Sequence, residues 1–227
     1  MQLSELLQKK QFPPVLPFRA GRDRLLLMNF TESNSELIPS MVDDTTAFSG
    51  YISKKIATAS AQYGIGGYDE NRTVYSRSKV FDTGEEPRRL HLGIDIWADA
   101  GTPVFLPLDG IVHSFAYNNH FGDYGATIII KHQLDGFVFH TLYGHLSLKD
   151  LLHLEEGMQL NAGRHLADFG IAAENGHWPP HLHFQLIIDM EGKKGDYPGV
   201  CKLSERAYYL NNCPDPDLIL GMMRYAV

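Results

Sequence analysis

The sequence predicts a mainly β protein of the α+β class, with an antiparallel β core and a partly helical N-terminal extension. From about Thr73 the chain consists of short runs rich in β-branched and aromatic residues, separated by glycine and proline, as is typical of antiparallel sheets. Before that point the apolar residues have helical spacing instead. The β-type runs are LHLGIDIWA, TPVFLPLDGIVHSFA, ATIIIKH, GFVFHTLYGHL and HLHFQLII.

The N-terminal extension is expected to contain two helices. Ser4 can cap a short helix, which the proline pair at 13–14 stops. Asp44 or Thr45 can cap a longer helix, which Gly64 ends. The apolar face of this longer helix is expected to consist of residues spaced by three and four: Phe48, Ile52, Ile56, Ala59 and Tyr63.

The β region is expected to contain two tight turns and one short helix. Gly-Asp-Tyr-Gly at 122–125 and Leu-Asp-Gly at 134–136 stand where hairpin turns are needed. Ser147 can cap the helix, which Gly157 ends. The predicted organisation is a helical or irregular N-terminal region (1–72), a β domain (73–190) and a C-terminal tail (191–227) that packs on the core.

Composition and charge narrow the class of protein. With 227 residues, 44% hydrophobic content and 21% charged content, the chain can bury a substantial core. The net charge of −7, with no basic stripe, argues against a nucleic-acid partner. No apolar run approaches the about 18 residues of a membrane span. No signal peptide is visible, so the chain as written is expected to be cytoplasmic, or extracytoplasmic if a signal has been removed.

The two cysteines, Cys201 and Cys213, do not make a disulfide framework. They are expected to be unpaired thiols, although a single bridge is the alternative for an exported protein.

The eleven histidines are unusual, and a His-Leu-His stretch is the first that can carry chemistry. In a strand, alternate side chains share a face and lie about 6.6 Å apart along it. His181 and His183 therefore point into the same space, with Leu182 on the other side. One of them can bind a metal ion while the other stands beside it. Two hydrogen-bonded histidines on a wet sheet face are the alternative.

A second candidate pair is His91 and Asp95, in the stretch HLGID. In a fully extended strand their side chains would be about 13 Å apart, too far to share one cation. Gly93 between them lets the backbone bend, so that the two can converge. A structural aspartate and a surface histidine are the alternative.

The stretch FHTLYGHL supplies a third candidate, His145. Strand alternation predicts that Tyr143 and His145 share one face and that His140 lies on the other. Gly144 permits close approach of another backbone. His145 can then act as a general base or as a donor to an oxyanion, or it is a buried structural histidine.

Taken together, these histidines and the aspartate predict metal-dependent hydrolysis. Two imidazoles and one carboxylate are a ligand set that catalytic zinc sites use, with a fourth position open to water. Zinc lowers the pKa of that water toward about 7. Two further imidazoles beside the open position can move protons and stabilise a tetrahedral intermediate. The affinity order of divalent metals does not choose between zinc, cobalt and copper, but the ligand types and metal availability favour zinc.

The motifs HLGID, TLYGHL and PPHLHFQL, in that order, resemble those of the lysostaphin/LytM-type zinc metalloendopeptidases, which hydrolyse peptide bonds in bacterial peptidoglycan. The resemblance covers residues 67–188 and implies a small antiparallel β core with a groove over the metal. It implies zinc ligands at His91, Asp95 and His183 and catalytic histidines at His145 and His181. Residues 73–190 are accordingly expected to form a LytM-type metallopeptidase domain.

Two departures from the family pattern affect the expected groove. The usual small Ser-Thr-Gly run before Pro-His-Leu-His is replaced by Glu-Asn-Gly-His-Trp-Pro at 174–179, and the acid after His-x-His-Phe is replaced by Gln185. Trp178 is expected either to form a wall of the groove or simply to pack, and His177 is not expected to be a ligand. The remaining histidines are expected to be structural or superficial: His113, His120, His132, His140, His153 and His165.

Other functions remain open. A cupin barrel also uses His-x-His, but it normally adds a glutamate soon afterwards, where this chain has Leu-Ile-Ile at 186–188. A non-catalytic module that binds the cell wall is disfavoured because all five site positions are filled. A peptidase or amidase acting on muropeptides or other small peptides in the cytosol stays possible. The N-terminal region is expected to support the β core, or else to form an inhibitory lid in which Asn34 fills the fourth zinc position.

Overall fold

The protein is described here by a computed structural model that covers residues 2–81 and 84–227. The predicted mainly β class is confirmed, because strands dominate from residue 90 to residue 187. Twelve strands occur in the described ranges: β1 (Leu25–Leu27), β2 (Tyr63–Gly66), β3 (Leu90–His91), β4 (Ile94–Trp97), β5 (Pro103–Phe105), β6 (Gly110–Asn118), β7 (Gly125–Leu134), β8 (Phe137–Leu146), β9 (Gln159–Leu160), β10 (His165–Asp168), β11 (His181–Ile187) and β12 (Val200–Cys201).

Helices are short and lie mainly near the two ends of the chain. The α-helices in the described ranges are α1 (Leu3–Leu7), α2 (Pro39–Val42), α3 (Thr45–Thr58), α4 (Arg206–Asn212) and α5 (Asp217–Leu220). Single turns of 3₁₀ helix occur at Thr73–Arg77, Leu148–Leu151, Leu203–Glu205 and Met223–Tyr225. None of these helices combines the length and hydropathy that crossing a membrane requires.

Eight strands form one sheet in the order β1-β2-β4-β11-β8-β7-β6-β9. All neighbours in it are antiparallel except β1 and β2, which are parallel. Strands β5 and β10 form a separate pair, and so do β3 and β12. Because β4 and β11 are adjacent near the middle of the large sheet, motifs that are far apart in sequence become neighbours in space.

The hairpin between β7 and β8 illustrates why these residues form strands. Both strands are rich in β-branched and aromatic residues, and most of their side chains are buried. Asp135 and Gly136 connect them with φ angles of 47° and 86°. Positive φ at both central residues is the requirement of a type I′ turn, whose twist matches that of the flanking strands. The turn predicted at this position is therefore observed.

Helix α3 begins where the longer N-terminal helix was predicted to begin, but it ends at Thr58, before the predicted end at Gly64. The Asp44 carboxylate accepts hydrogen bonds from the backbone N–H groups of Thr46 and Ala47, as expected of an N-cap. Phe48 and Ile52 are buried beneath the helix. Tyr63, which was expected on the same helical face, instead begins strand β2.

The N-terminal region also contributes two strands to the main sheet, which the interpretation of residues 1–72 as helical or irregular did not include. Strand β2 pairs with β4, so the region extends the sheet directly. Glycines at two of its four positions concealed it, because glycine has a low strand propensity. A Cβ atom on Gly66 would lie 2.8 Å from the carbonyl oxygen of Met28, so glycine permits the close approach of β1. The domain boundaries remain a prediction.

The C-terminal residues pack on the core. Strand β12 pairs with β3, and Ile219 and Met222 are buried in the main apolar cluster. Cys201 and Cys213 are free, buried thiols.

We expect strand β2 to be part of the folding unit. Replacing Ile65, whose side chain is fully buried, with alanine should lower the free energy of unfolding by about 2–5 kcal/mol, because it leaves a cavity between the strand and the core. Replacing Leu27, whose side chain on β1 is 51% exposed, with alanine should change the free energy of unfolding by less than about 0.5 kcal/mol. Urea unfolding of the two variants measures both values. Equal, small effects would mean that β2 contributes little to stability.

Candidate metal centre and active site

Three side chains from three strands converge in the interior of the protein. His91 ends β3, Asp95 lies on β4 and His183 lies on β11, directly opposite Asp95 in the strand register. The distances are 3.3 Å from His91 Nε2 to Asp95 Oδ1, 3.0 Å from His183 Nδ1 to Asp95 Oδ1 and 3.0 Å from His91 Nε2 to His183 Nδ1. No second group of three metal-binding side chains occurs in residues 2–81 and 84–227. We call this group the His-Asp-His cluster.

The chain bends between His91 and Asp95, as the sequence predicted. Leu92 and Gly93 separate β3 from β4, and the two strands belong to different sheets. Gly93 is needed there for close packing: a Cβ atom would lie 2.5 Å from Cε1 and 2.6 Å from Nε2 of the His183 ring. Glycine therefore provides the space that His183 occupies.

Hydrogen bonds on the outer side of the cluster determine the tautomers of its two imidazoles. His91 Nδ1 donates to the carbonyl oxygen of Gly67 at 2.9 Å, and His183 Nε2 donates to Gln185 Oε1 at 2.8 Å. Gln185 Nε2 itself donates to Pro198, which makes Oε1 an acceptor. The inner nitrogens, Nε2 of His91 and Nδ1 of His183, consequently present lone pairs to each other and to Asp95 Oδ1.

A divalent metal fits this arrangement. Three acceptor atoms lie within 3.3 Å of one another with no proton donor between them, which is unfavourable unless a cation is shared among them. Burial, followed by the charge of Arg72, lowers the pKa of His91 to about 3. Burial alone raises the pKa of Asp95, but His91 and Arg72 outweigh it and hold that pKa well below its usual value. Neutral imidazole and ionised carboxylate are the forms that bind metals.

The two other predicted site residues lie beside the cluster. The rings of His145 and His181 stack with their centroids 4.0 Å apart. His145 Nδ1 donates to the carbonyl oxygen of Asn175 at 2.8 Å, and His181 Nδ1 donates to that of Pro179 at 2.7 Å. Each Nε2 is therefore a proton acceptor. Burial lowers the pKa of His181 to about 4, and burial followed by the neighbouring His181 lowers that of His145 well below its usual value.

His145 reaches the cluster by a route that strand alternation does not predict. Tyr143 packs against Phe184 on the opposite face of the sheet, so the expectation that Tyr143 and His145 share a face is wrong. The pairing between β7 and β8 is irregular near the end of β8, and His145 has a φ angle of 63°. A β-bulge of this kind reverses the face of the residue that follows it. His181 and His183, in contrast, share a face as predicted.

A cavity of about 160 Å³ opens onto these side chains. Its lining includes His145, His181, His183, Asp95 and eight aromatic side chains, five of which we call the aromatic wall: Phe30, Phe48, Tyr75, Trp97 and Trp178. Trp178 thus lines the cavity and also packs against His145. His177 stacks on Phe121 and is not part of the cluster. Asn34 donates to the backbone of Asn29 and to the Tyr51 hydroxyl instead of filling a metal position.

Comparison with known proteins identifies the segment that carries the cluster. Residues 89–196 match the model of a family described as Peptidase family M23. This segment is an M23 peptidase domain. It contains all five predicted site residues, and the lysostaphin/LytM-type resemblance drawn from the motifs is confirmed.

Curated relatives of the M23 domain are peptidases by name, and one of them is named a peptidoglycan enzyme. The DD-carboxypeptidase/endopeptidase Mpg of Neisseria meningitidis is 33% identical over 129 residues, which is 55% of this chain and 27% of that protein. The peptidoglycan DD-endopeptidase ShyA of Vibrio cholerae is 30% identical over 113 residues, which is 45% of this chain and 24% of that protein. The chain thus spans about a quarter of the length of these relatives.

Solved structures similar to the M23 domain include two peptidases. A zinc-containing peptidase from Vibrio cholerae is 27% identical with a TM-score of 0.36, over 43% of this chain and 27% of that one. The catalytic domain of lysostaphin from Staphylococcus simulans is 23% identical with a TM-score of 0.37, over 53% of this chain and 80% of that one.

Several residues near the cluster were not anticipated from the sequence. Arg72 and Gly67 precede the M23 domain, yet Arg72 contacts Asp95 and the carbonyl oxygen of Gly67 contacts His91. Tyr124, interpreted only as part of a turn, lies with its hydroxyl 3.4 Å from His183 Nε2. No local spacing marks these residues, because each acts through a contact distant in sequence. Gln185 was noted only as a departure from the family pattern.

We expect Gly93→Ala to disrupt the metal centre. The added Cβ atom would displace the His183 ring and weaken Zn²⁺ binding by at least about tenfold. Gly50→Ala is the matched control, since nothing lies within 4 Å of a Cβ atom at that helical position. Zinc affinity is measured by competition with a chromophoric chelator, and circular dichroism verifies the fold. Equal zinc affinity in both variants would contradict the arrangement described here.

Proposed function

We propose that this protein is a zinc-dependent metallopeptidase that hydrolyses peptide bonds of bacterial peptidoglycan with water as the nucleophile. The observation that carries the proposal is the convergence of His91, Asp95 and His183 beside two neutral imidazoles in one cavity. In this proposal the first three residues hold the metal and His145 and His181 are catalytic. The name of the relative ShyA supports peptidoglycan as the substrate.

The proposed chemistry divides between the metal and the side chains around it. A zinc ion supplies Lewis acidity, which polarises a carbonyl group and makes water a nucleophile at neutral pH. His181 is well placed to take up the proton of the attacking water, because its Nε2 is an acceptor and lies 4.0 Å from Asp95 Oδ1, beside the proposed metal position. The same proton can then pass to the leaving amine nitrogen. The backbone carbonyls of Asn175 and Pro179 keep the two rings in the orientation that this transfer needs.

His145 completes the proposed proton-transfer site. Its ring stacks on that of His181 at an interplanar angle of 29°, so the two imidazoles lie side by side. Because its Nε2 is an acceptor, His145 can orient the attacking water by accepting a hydrogen bond from it while His181 takes up the proton. Burial lowers the pKa of both rings, so each is neutral and able to accept a proton before the reaction.

A second candidate substrate is a short soluble peptide, such as a muropeptide released from the wall. The enclosure of the site favours this alternative: none of the five site side chains is more than 6% exposed. A cavity of about 160 Å³ fits a small substrate more readily than a cross-linked polymer.

We expect the following variants to separate metal binding from catalysis. Asp95→Ala should lose both Zn²⁺ binding and hydrolysis. His181→Ala should retain zinc while its kcat/KM falls by about 10²–10⁴-fold, since it removes the proposed general base. His153→Ala, which changes an exposed histidine outside the cavity, is the control and should behave as the unaltered protein.

The assay compares purified sacculi with soluble muropeptides, with and without a chelator. Products from both substrates support the peptidoglycan hydrolase, and products from the soluble peptides alone support the second candidate. If neither substrate is cleaved by the zinc-loaded protein, or if His181→Ala is fully active, the proposed mechanism is wrong.

A further inference from the structure

Arg72 is a buried arginine that contacts the His-Asp-His cluster from outside the M23 domain. Its side chain is 2% exposed, and its Nη1 donates to Asp95 Oδ2 and, at 3.2 Å, to the Tyr75 hydroxyl. Its Nε donates to Glu70 Oε2 at 2.6 Å. The contact with Asp95 joins residues 23 positions apart.

The two oxygens of Asp95 have different partners. Oδ1 faces the inner nitrogens of His91 and His183, whereas Oδ2 is occupied by Arg72. A carboxylate left free can bind a metal through one oxygen or through both. A donor fixed on Oδ2 restricts it to one oxygen, and a catalytic zinc site needs a coordination position that its protein ligands do not fill.

We propose that Arg72 is a positioning residue that holds Asp95 as a one-oxygen metal ligand and keeps a coordination position available for the reaction. This inference rests on the proposed function. Arg72 belongs to the N-terminal region, so that region is part of the metal centre and does more than cover it.

The surroundings of Arg72 fix its guanidinium group rigidly. Glu70 binds the Nε side, and the guanidinium carbon lies 5.3 Å from the ring centre of Phe30 and 5.8 Å from that of Trp97. The backbone N–H of Arg72 donates to the carbonyl oxygen of Arg89, two residues before His91. A planar guanidinium held through Nε and Nη1 and along its faces can orient a carboxylate in a way that a flexible ammonium group cannot.

Residues 67–72 supply outer partners for two of the three proposed ligands. The carbonyl oxygen of Gly67 orients His91, and Arg72 orients Asp95. Gln185 orients His183 from within the M23 domain. Outer partners of this type contribute to metal affinity because they fix the ligand before the metal arrives.

The experiment measures metal binding rather than hydrolysis. Full-length Arg72→Met, Arg72→Lys and unaltered protein are compared for Zn²⁺ affinity by chelator competition and for the visible absorption of bound Co²⁺, which reports coordination. Arg77→Met is the matched control. Arg77 is also a buried arginine, 4.6 Å from the ring centre of Trp178, but its hydrogen bonds go to Thr45 and to the backbone of His177.

Arg72→Met is expected to bind Zn²⁺ about 10–100-fold more weakly and to change the Co²⁺ spectrum. Arg72→Lys is expected to recover only part of this affinity, and Arg77→Met is expected to match the unaltered protein. If Arg72→Met does not fold, the test is the Zn²⁺ affinity of Arg72→Lys, which is expected to be lower than that of the unaltered protein. Unaltered affinity and spectrum in the Arg72 variants would overturn the positioning role alone. Absence of zinc binding by the unaltered protein would overturn the proposed function as well.

Discussion

The structure depends on one electrostatic constraint: three electron-pair donors lie within 3.3 Å of one another in a buried place, with no hydrogen between them. Such a group is unfavourable by itself and becomes favourable when a cation is shared. The pairing of β4 with β11 brings Asp95 and His183 together, and the bend at Gly93 returns His91 to them. Metal affinity and the stability of this part of the fold are therefore coupled.

Each of the four imidazoles presents a lone pair from one ring nitrogen because its other ring nitrogen donates a hydrogen bond to an oxygen atom. Gly67 and Gln185 accept from the cluster histidines, and Asn175 and Pro179 accept from the two stacked histidines. In all four cases the acceptor is an oxygen atom that requires an N–H. Four separate parts of the chain thus impose one consistent set of tautomers on the site.

The N-terminal region is integrated with the site in three ways. It adds strands β1 and β2 to the sheet, it supplies Phe30 and Phe48 to the aromatic wall, and it contributes the outer contacts of Gly67 and Arg72. The same contacts that support the cluster also enclose it. A region that both completes and covers a site limits the size of the substrate that can enter it. This enclosure is the structural reason for the second candidate substrate, a short soluble peptide.

The sequence by itself determined the β class and predicted the five site side chains, because each of these lies in a short motif whose spacing or glycine content has local meaning. The tertiary structure decided what depends on distant pairing. The β-bulge brought His145, and not Tyr143, to the site face, and Gly-rich β2 became a strand only because β1 and β4 flank it. Arg72 shows the limit most clearly: a lone arginine has no local pattern, and only folding places its guanidinium on Asp95. Periodicity encodes the face of a strand, whereas partners across the sheet are selected by the packing of the whole chain.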